Sequence, residues 1–166
     1  MKQAVLLEMN RLYRLFVQRN PEFEQLGGRV SIMGHSLGSM LAADLLTVQP
    51  TCVPPVREVD APRIHVTSPH LLFNTRYLFC TGSPLPFLFY MKGAQLCARR
   101  RPGNDADDAT SDAVGQDGCL AVEAIYNVYA STDPVSFQMS ATADPAYARV
   151  MRPVDLPRDA AHLPDA

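Results

Sequence analysis

The sequence predicts an α/β fold in which helices pack on both faces of a mostly parallel sheet. Apolar residues recur at helical spacing in residues 1–20 and again in residues 37–48. Short runs of β-branched and aromatic residues lie between and after these segments, so helix and strand patterns alternate along the chain, as in a parallel sheet with crossover helices. With 166 residues, the chain has room for one hydrophobic core but not for two domains.

Two amphipathic helices are expected in the first fifty residues. The first has apolar residues at steps of four, three and four, and it ends at Asn20-Pro21 because proline cannot continue a helix. Its apolar stripe consists of Val5, Met9, Leu12 and Phe16. The second helix covers residues 37–48 and is closed by Pro50. A third helix or a lid-like turn is expected over residues 85–92.

Three strands are expected, over residues 30–33, 76–81 and 123–129. Each run is rich in apolar or β-branched residues and is followed by a turn that contains glycine or proline. Three strands are too few for a complete sheet of this class. The sequence therefore predicts part of a larger domain, without its upstream strands.

The remaining segments are polar or rich in proline. Residues 51–69 are expected to form a loop, and residues 94–118 a disordered insertion, because their composition cannot bury enough surface to offset its ordering entropy. Within this insertion, Arg99, Arg100 and Arg101 either anchor the site to anionic lipid or form a solvated charge cluster. The second interpretation is favoured because three aspartates follow closely. Residues 1–137 are interpreted as the partial domain and residues 138–166 as a tail rich in Pro, Ala and Asp.

Composition excludes several classes of function. Fifteen Lys and Arg residues face 17 Asp and Glu residues, so a net charge of −2 argues against nucleic acid as a partner. The four cysteines have no CxxC pair and no zinc-like spacing with histidine, which indicates free thiols in a reducing compartment. The N-terminal residues lack the apolar run of a signal peptide or membrane span, so a cytoplasmic protein is expected.

The segment Gly34-His35-Ser36-Leu37-Gly38 matches GxSxG, the nucleophile elbow of α/β-hydrolases. The predicted strand precedes it and the predicted helix follows it, which is the context that the motif requires. Ser36 would attack an ester carbonyl, the two glycines would give the sharp turn its room, and the Leu37 N–H would supply half of an oxyanion hole. The alternative is a tight turn in which Ser36 only caps the helix. The loop that would complete the oxyanion hole is absent from the sequence.

A serine nucleophile needs a base and an acid, and in this fold they follow in the order Ser, Asp or Glu, His. Asp133 comes just after the third strand, where a triad acid belongs, although Asp133-Pro134 is also an ordinary turn sequence. His162 is the one histidine downstream of Asp133. It is either the base or a solvated histidine in the tail. His35 occupies an elbow position whose side chain should point away from that of Ser36.

Four blocks of the sequence resemble a known family. They are residues 10–23 (NRLYRLFVQRNPEF), 28–39 (GRVSIMGHSLGS), 77–93 (YLFCTGSPLPFLFYMKG) and 126–137 (YNVYASTDPVSF). In content and order they resemble the DDHD-domain intracellular phospholipases A1, the group that prefers phosphatidic acid. They cover nearly half of the chain, and the combination is far more specific than GxSxG alone.

The resemblance implies hydrolysis of the sn-1 acyl ester of glycerophospholipids, with Ser36 as nucleophile and Asp133 as acid. It also implies transient contact with cytosolic membrane surfaces of the Golgi, endoplasmic reticulum or mitochondria. The family continues into a later block that contains the base histidine, and this block is not recognisable after Phe137. The four residues that name the family have been proposed to bind a metal, Asp133 among them, but a serine hydrolase needs none, so no metal or cofactor is expected. The alternatives are an inactive fragment or scaffold in membrane trafficking, or an acyl esterase on another lipid.

Overall fold

The computed structural model describes residues 1–56, 68–100 and 113–156. The α-helices in these ranges are α1 (Lys2–Arg19), α2 (Leu37–Val48), α3 (Leu85–Lys92) and α4 (Ser140–Ala143). The strands are β1 (Val30–His35), β2 (Thr75–Thr81), β3 (Cys97–Ala98), β4 (Cys119–Leu120) and β5 (Ala124–Val128). The helices predicted over residues 1–20 and 37–48 and the three predicted strands are therefore confirmed, with small shifts at their ends. None of the described helices is both long and apolar enough to span a bilayer.

The main sheet has the strand order β1-β2-β5, and both pairings are parallel, as the alternation of elements predicts. Ile32 of β1 pairs with Leu78 of β2, which pairs with Ile125 of β5. Because all three strands run in the same direction, their carboxyl ends meet at one edge of the sheet. This edge carries the turns that follow His35, Thr81 and Val128.

One face of the sheet forms the core together with α2. Leu78 in β2 and Leu46 in α2 are both fully buried, and Tyr13 of α1 packs on Phe73 with ring centroids 4.9 Å apart. Asn10 of α1 is buried as well, because its side chain bonds the backbone of residues 70 and 72. Apolar burial and a satisfied buried amide thus fix α1 and α2 on the same side of the strands.

The opposite face of the sheet differs from the prediction that helices cover both faces. Met33 of β1 is 71% exposed and Tyr126 of β5 is 45% exposed, so this face is bare in the described part of the chain. On this face aromatic rings pack on one another instead of on a helix. The ring centroids of Phe79 and Tyr126 are 5.0 Å apart in a stacked arrangement, and those of Tyr77 and Tyr126 are 5.5 Å apart in an edge-on arrangement. The described residues supply no further apolar helix to pack there.

The segment predicted as a disordered insertion, residues 94–118, is ordered at both ends. Cys97–Ala98 pairs in parallel with Cys119–Leu120, and Leu96 is buried, while residues 101–112 lie outside the described ranges. Arg99 and Arg100 are only 4% and 7% exposed, so neither a lipid anchor nor a solvated cluster describes them. Arg101 lies outside the described residues.

The C-terminus of α2 explains the burial of Arg99. The last carbonyls of a helix have no partner within the helix, and a guanidinium group has five N–H donors. Arg99 Nη2 donates to the carbonyl oxygens of Leu46 and Gln49 at 2.9 and 2.7 Å, and its Nε donates to the Cys119 carbonyl at 3.1 Å. Composition alone does not reveal that the carbonyl groups at the C-terminus of α2 need hydrogen-bond donors.

The predicted tail also begins with packed structure. Met139 and Thr142 are buried, α4 lies against α3, and the Thr142 carbonyl accepts a hydrogen bond from the Leu96 N–H at 2.8 Å. The segment is folded because Met139 belongs to the same buried apolar cluster as Phe89 of α3. Residues 157–166 lie outside the described ranges.

Candidate active site

Ser36 lies at the turn between β1 and α2 with φ of 48° and ψ of −122°. Within the described ranges it is the one residue other than glycine with positive φ. Such a conformation costs roughly 1–3 kcal/mol and persists only where neighbouring contacts enforce it. Here the Ser36 N–H donates to the Thr81 carbonyl at 2.9 Å, and the Ser36 carbonyl accepts from the Ser39 N–H at 3.0 Å. A strand, a strained serine and a helix are the context that a nucleophile elbow requires.

The two glycines of the motif play different roles, although the sequence analysis expects both to supply room. A Cβ atom on Gly34 would lie 2.5 Å from the Ser39 Cα and 2.6 Å from the Ser39 N, so only glycine fits between β1 and α2. A Cβ atom on Gly38 would meet nothing within 4 Å. The close approach of strand and helix therefore depends on Gly34 alone.

The backbone N–H of Leu37 is available for an oxyanion. Leu37 is the first residue of α2, where N–H groups have no acceptor within the helix, and no acceptor for this group is present among the described residues. The helix N-terminus also favours negative charge at this point. This arrangement is compatible with the predicted half of an oxyanion hole, and no second donor is identified in the described part of the chain.

Asp133 lies after β5, at the same edge of the sheet as Ser36. Its Oδ1 accepts a hydrogen bond from the Val135 N–H at 2.9 Å. This bond lowers the pKa of the carboxyl group, and smaller contributions come from Ser136 and His35. Oδ1 thus holds the turn, while Oδ2 lies on the side of Gly82.

Gly82, the residue after β2, separates Asp133 from His35. A Cβ atom on Gly82 would lie 3.4 Å from Asp133 Oδ2 and 3.6 Å from His35 Nε2, and its φ of 53° also favours glycine. The carboxylate and the imidazole therefore face the same small residue, although no hydrogen bond joins them. Gly82 keeps this part of the sheet edge open.

The described residues do not provide a base for Ser36. His162, the candidate from the sequence, lies outside the described ranges. His35 faces Gly82 and makes no hydrogen bond with Ser36, and His70 is engaged with Ser68 and the Leu71 carbonyl. The structure therefore brings together the elbow, Gly82 and Asp133, while the base remains a prediction.

Two buried serines at this site were missed by the sequence analysis. Ser39 and Ser83 are fully buried, and their Oγ atoms lie 2.6 Å apart. Ser39 is three residues after Ser36, a spacing at which a serine hydroxyl reaches back to a carbonyl one turn earlier. Ser83 is part of the Gly-Ser-Pro turn after β2. Because the two lie 44 positions apart, no local pattern connects them.

Exposed apolar side chains lie on α3 and in the segment that follows Asp133. Phe87 of α3 and Phe137, four residues after Asp133, stack with ring centroids 5.6 Å apart, and both remain more than 40% exposed. Val135, Tyr90 and Met91 are also exposed nearby in the sequence. We call these five residues the apolar rim. Among the described residues, no three His, Cys, Asp or Glu side chains are grouped to hold a metal ion.

Comparison with known proteins gives the family. The model of the DDHD domain matches residues 71–163, which include Gly82, Asp133 and His162 but not Ser36. Phospholipase DDHD1 of Bos taurus is 30% identical over 175 residues, which cover 80% of this chain and 18% of the relative. A probable mitochondrial phospholipase of Saccharomyces cerevisiae is 32% identical over 137 residues, 82% of this chain and 16% of the relative.

A third relative matches a shorter stretch more strongly. Triacylglycerol hydrolase DDHD2 of Homo sapiens is 60% identical over 46 residues, which cover 28% of this chain and 6% of the relative. The chain thus spans less than a fifth of the length of these three relatives. No solved structure matches it. The family model covers more than half of the chain, including the sequence blocks at residues 77–93 and 126–137, so the chain belongs to the DDHD domain family.

Proposed function

We propose that this chain carries the nucleophile and the acid of a serine hydrolase that cleaves the sn-1 acyl ester of glycerophospholipids. The observation that carries the proposal is the strained Ser36 at a strand-to-helix turn, with Asp133 at the same sheet edge. A helix cap alone does not require a positive φ at serine, whereas an exposed nucleophile does. The names of the relatives as phospholipases support a lipid ester as substrate.

The reaction would proceed in two steps. Ser36 Oγ attacks the acyl carbonyl and gives its proton to a histidine base, which passes it to the leaving alcohol oxygen of the lysophospholipid. Water then attacks the acyl-serine ester, releases the fatty acid and restores the serine hydroxyl. The Leu37 N–H stabilises the negative charge on the carbonyl oxygen in both steps, and Asp133 Oδ2 orients the base and stabilises its charged form. His162 is the proposed base.

The apolar rim supports a lipid substrate and transient contact with a cytosolic membrane surface. Aromatic and apolar side chains at the mouth of a site can enter the boundary between head groups and acyl chains. They would place an acyl chain beside Ser36 without a membrane-spanning segment. Two fungal relatives are named mitochondrial, which favours mitochondrial membranes as one location, with the Golgi and endoplasmic reticulum as the others.

The test is covalent labelling of the full chain with a fluorophosphonate, followed by mass spectrometry of the modified peptide. We expect labelling of Ser36 and none in Ser36→Ala, with Ser31→Ala, which removes a serine from the preceding strand β1, as the matched control. His162→Ala should abolish labelling if His162 is the base. Absence of labelling in the unaltered chain would support the alternative of an inactive scaffold in membrane trafficking.

A neutral lipid is the second candidate substrate, because one similar relative is named a triacylglycerol hydrolase. Phosphatidic acid labelled in either the sn-1 or the sn-2 chain and a labelled triacylglycerol distinguish the two. Release of the sn-1 chain alone supports the proposal. Preferential hydrolysis of triacylglycerol would contradict the phospholipid substrate and favour the alternative of an acyl esterase that acts on another lipid.

A further inference from the structure

Two buried hydroxyl groups link the Ser36 elbow to the turn after β2. Ser39 Oγ donates to the Ser36 carbonyl at 2.5 Å, and it lies 2.6 Å from Ser83 Oγ. Ser83 Oγ in turn accepts from the Leu85 N–H at 3.1 Å. Both serines have no exposed surface. Three hydrogen bonds therefore run without a gap from the start of α3 to the backbone of Ser36.

The chemistry of the groups sets the direction of these bonds. A hydroxyl group has one proton to donate, and that of Ser39 is used on the Ser36 carbonyl. The proton between the two hydroxyls must therefore belong to Ser83, while the Leu85 N–H donates to Ser83. All three donors in this series of hydrogen bonds, the Leu85 N–H and the two serine hydroxyls, therefore have an acceptor. Bonds aligned in one direction polarise one another in a low-dielectric interior.

We propose that Ser39 and Ser83 are positioning residues that hold Ser36 in its reactive conformation. The proposal rests on the proposed function of Ser36 as a nucleophile. Ser39 holds the Ser36 carbonyl against the first turn of α2, away from the site that the Leu37 N–H faces. Ser83 fixes the orientation of the Ser39 hydroxyl, so the position of Ser36 depends on the position of the Gly-Ser-Pro turn.

The geometry at the other end of Ser36 explains why this fixation is needed. The Ser36 N–H already donates to Thr81 of β2. With its carbonyl also held through Ser39 and Ser83, the strained residue is tied at both ends to the β2–α3 connection. Loss of the Ser39 hydroxyl would leave the Ser36 carbonyl to the longer bond of 3.0 Å from the Ser39 N–H, and loss of the Ser83 hydroxyl would let the Ser39 hydroxyl turn. Either change would loosen the Ser36 peptide, which could then relax and carry Oγ away from the substrate carbonyl. A misplacement of about 1 Å can cost roughly a hundredfold in rate.

The experiment compares Ser39→Ala, Ser83→Ala and the double variant with Thr47→Val. Thr47 is the matched control, because its buried hydroxyl bonds the Ala43 carbonyl in the same helix but far from Ser36. For each full chain we would measure the Tm, the fluorophosphonate labelling rate of the folded protein, and amide hydrogen exchange at Ser36 and Leu37.

We expect both single variants to label roughly tenfold more slowly or worse, and the double variant to be no slower than Ser39→Ala. Thr47→Val should lower the Tm to a similar extent and label at the unaltered rate. Exchange at Ser36 should accelerate in both serine variants but not in Thr47→Val. If Ser39→Ala does not fold, Ser83→Ala still tests the proposal, since it keeps the Ser39 hydroxyl and removes only the group that orients it.

If the labelling rate falls in proportion to the loss of Tm in every variant, including Thr47→Val, the proposal is overturned. If the unaltered chain is not labelled at all, the proposed function fails, and amide exchange then decides the positioning role by itself. Unchanged exchange at Ser36 in both serine variants would overturn it in that case too.

Discussion

Gly34 and Ser39 are in direct backbone contact, since a Cβ atom on Gly34 would lie 2.5 Å from the Ser39 Cα. This contact sets the distance between β1 and α2 on either side of Ser36. A distance below 3.0 Å to backbone atoms cannot be relieved by turning a side chain, so the strand and the helix would have to separate.

The first prediction compares alanine at the two glycines of the elbow. Gly34→Ala should lower the free energy of unfolding by roughly 1–3 kcal/mol through overpacking and should abolish labelling of Ser36. Gly38→Ala should fold at least as well as the unaltered chain, because its Cβ meets open space and alanine is about 1 kcal/mol better than glycine inside a helix. Urea denaturation and fluorophosphonate labelling would measure both effects. Equal destabilisation by the two substitutions would contradict this account.

The second prediction separates the charge of Asp133 from its structural role. Asp133→Asn keeps an oxygen that can accept from the Val135 N–H, so the turn should survive while labelling of Ser36 falls by a factor of about a hundred or more. Asp133→Ala removes both functions and should also destabilise the turn. Similar labelling of Asp133→Asn and the unaltered chain would exclude Asp133 as the acid.

Because the pKa of Asp133 is lowered in the folded chain, the difference in stability between the unaltered chain and Asp133→Asn should depend on pH. The Val135 N–H favours the ionised carboxyl, so its folded-state pKa lies below its unfolded-state value. The stability contributed by this charge is present above the unfolded-state pKa and is lost as the pH falls through the folded-state pKa. Denaturation curves of the unaltered chain and of Asp133→Asn should therefore differ at neutral pH and converge in acid. A constant difference across this range would contradict the assignment.

The third prediction concerns Arg99 as the cap of α2. Arg99→Met keeps the length of the side chain but removes the guanidinium donor of the Gln49 and Cys119 carbonyls, at a cost of roughly 3 kcal/mol or more, while the Leu46 carbonyl keeps its bond from the Ala121 N–H. Arg11→Met is the control, because the Arg11 to Glu8 pair is exposed and contributes little. Thermal unfolding would compare the two. A small loss in Arg99→Met would show that water can replace the guanidinium group.

Features fixed by neighbouring residues can be predicted from the sequence, whereas features fixed by distant residues cannot. The strand, turn and helix around Ser36 were predictable because their determinants are local: they follow one another in the chain, and a single motif encodes them. Arg99 was misinterpreted because its partners are backbone carbonyls about fifty positions away, which composition does not register. The bond between Ser39 and Ser83 escaped for the same reason, since serine at either position is unremarkable until the parallel sheet brings β1 and β2 together.

The fourth prediction uses the four free thiols. Burial raises the pKa of Cys80 to about 12. Burial also raises the pKa of Cys97, and a hydrogen bond with Cys119 makes a smaller contribution in the same direction. At pH 8 the thiolate fraction of Cys80 is then roughly 10⁻⁴, and alkylation requires both this form and access to solvent. Iodoacetamide should therefore modify the exposed Cys52 first and leave Cys80 unmodified until the chain unfolds. Peptide mass spectrometry over time would follow each site, with the chain in urea as the control. Rapid alkylation of Cys80 in the folded chain would mean that the core face of β2 opens easily, which would contradict the packing of Leu78 and Cys80 against α2.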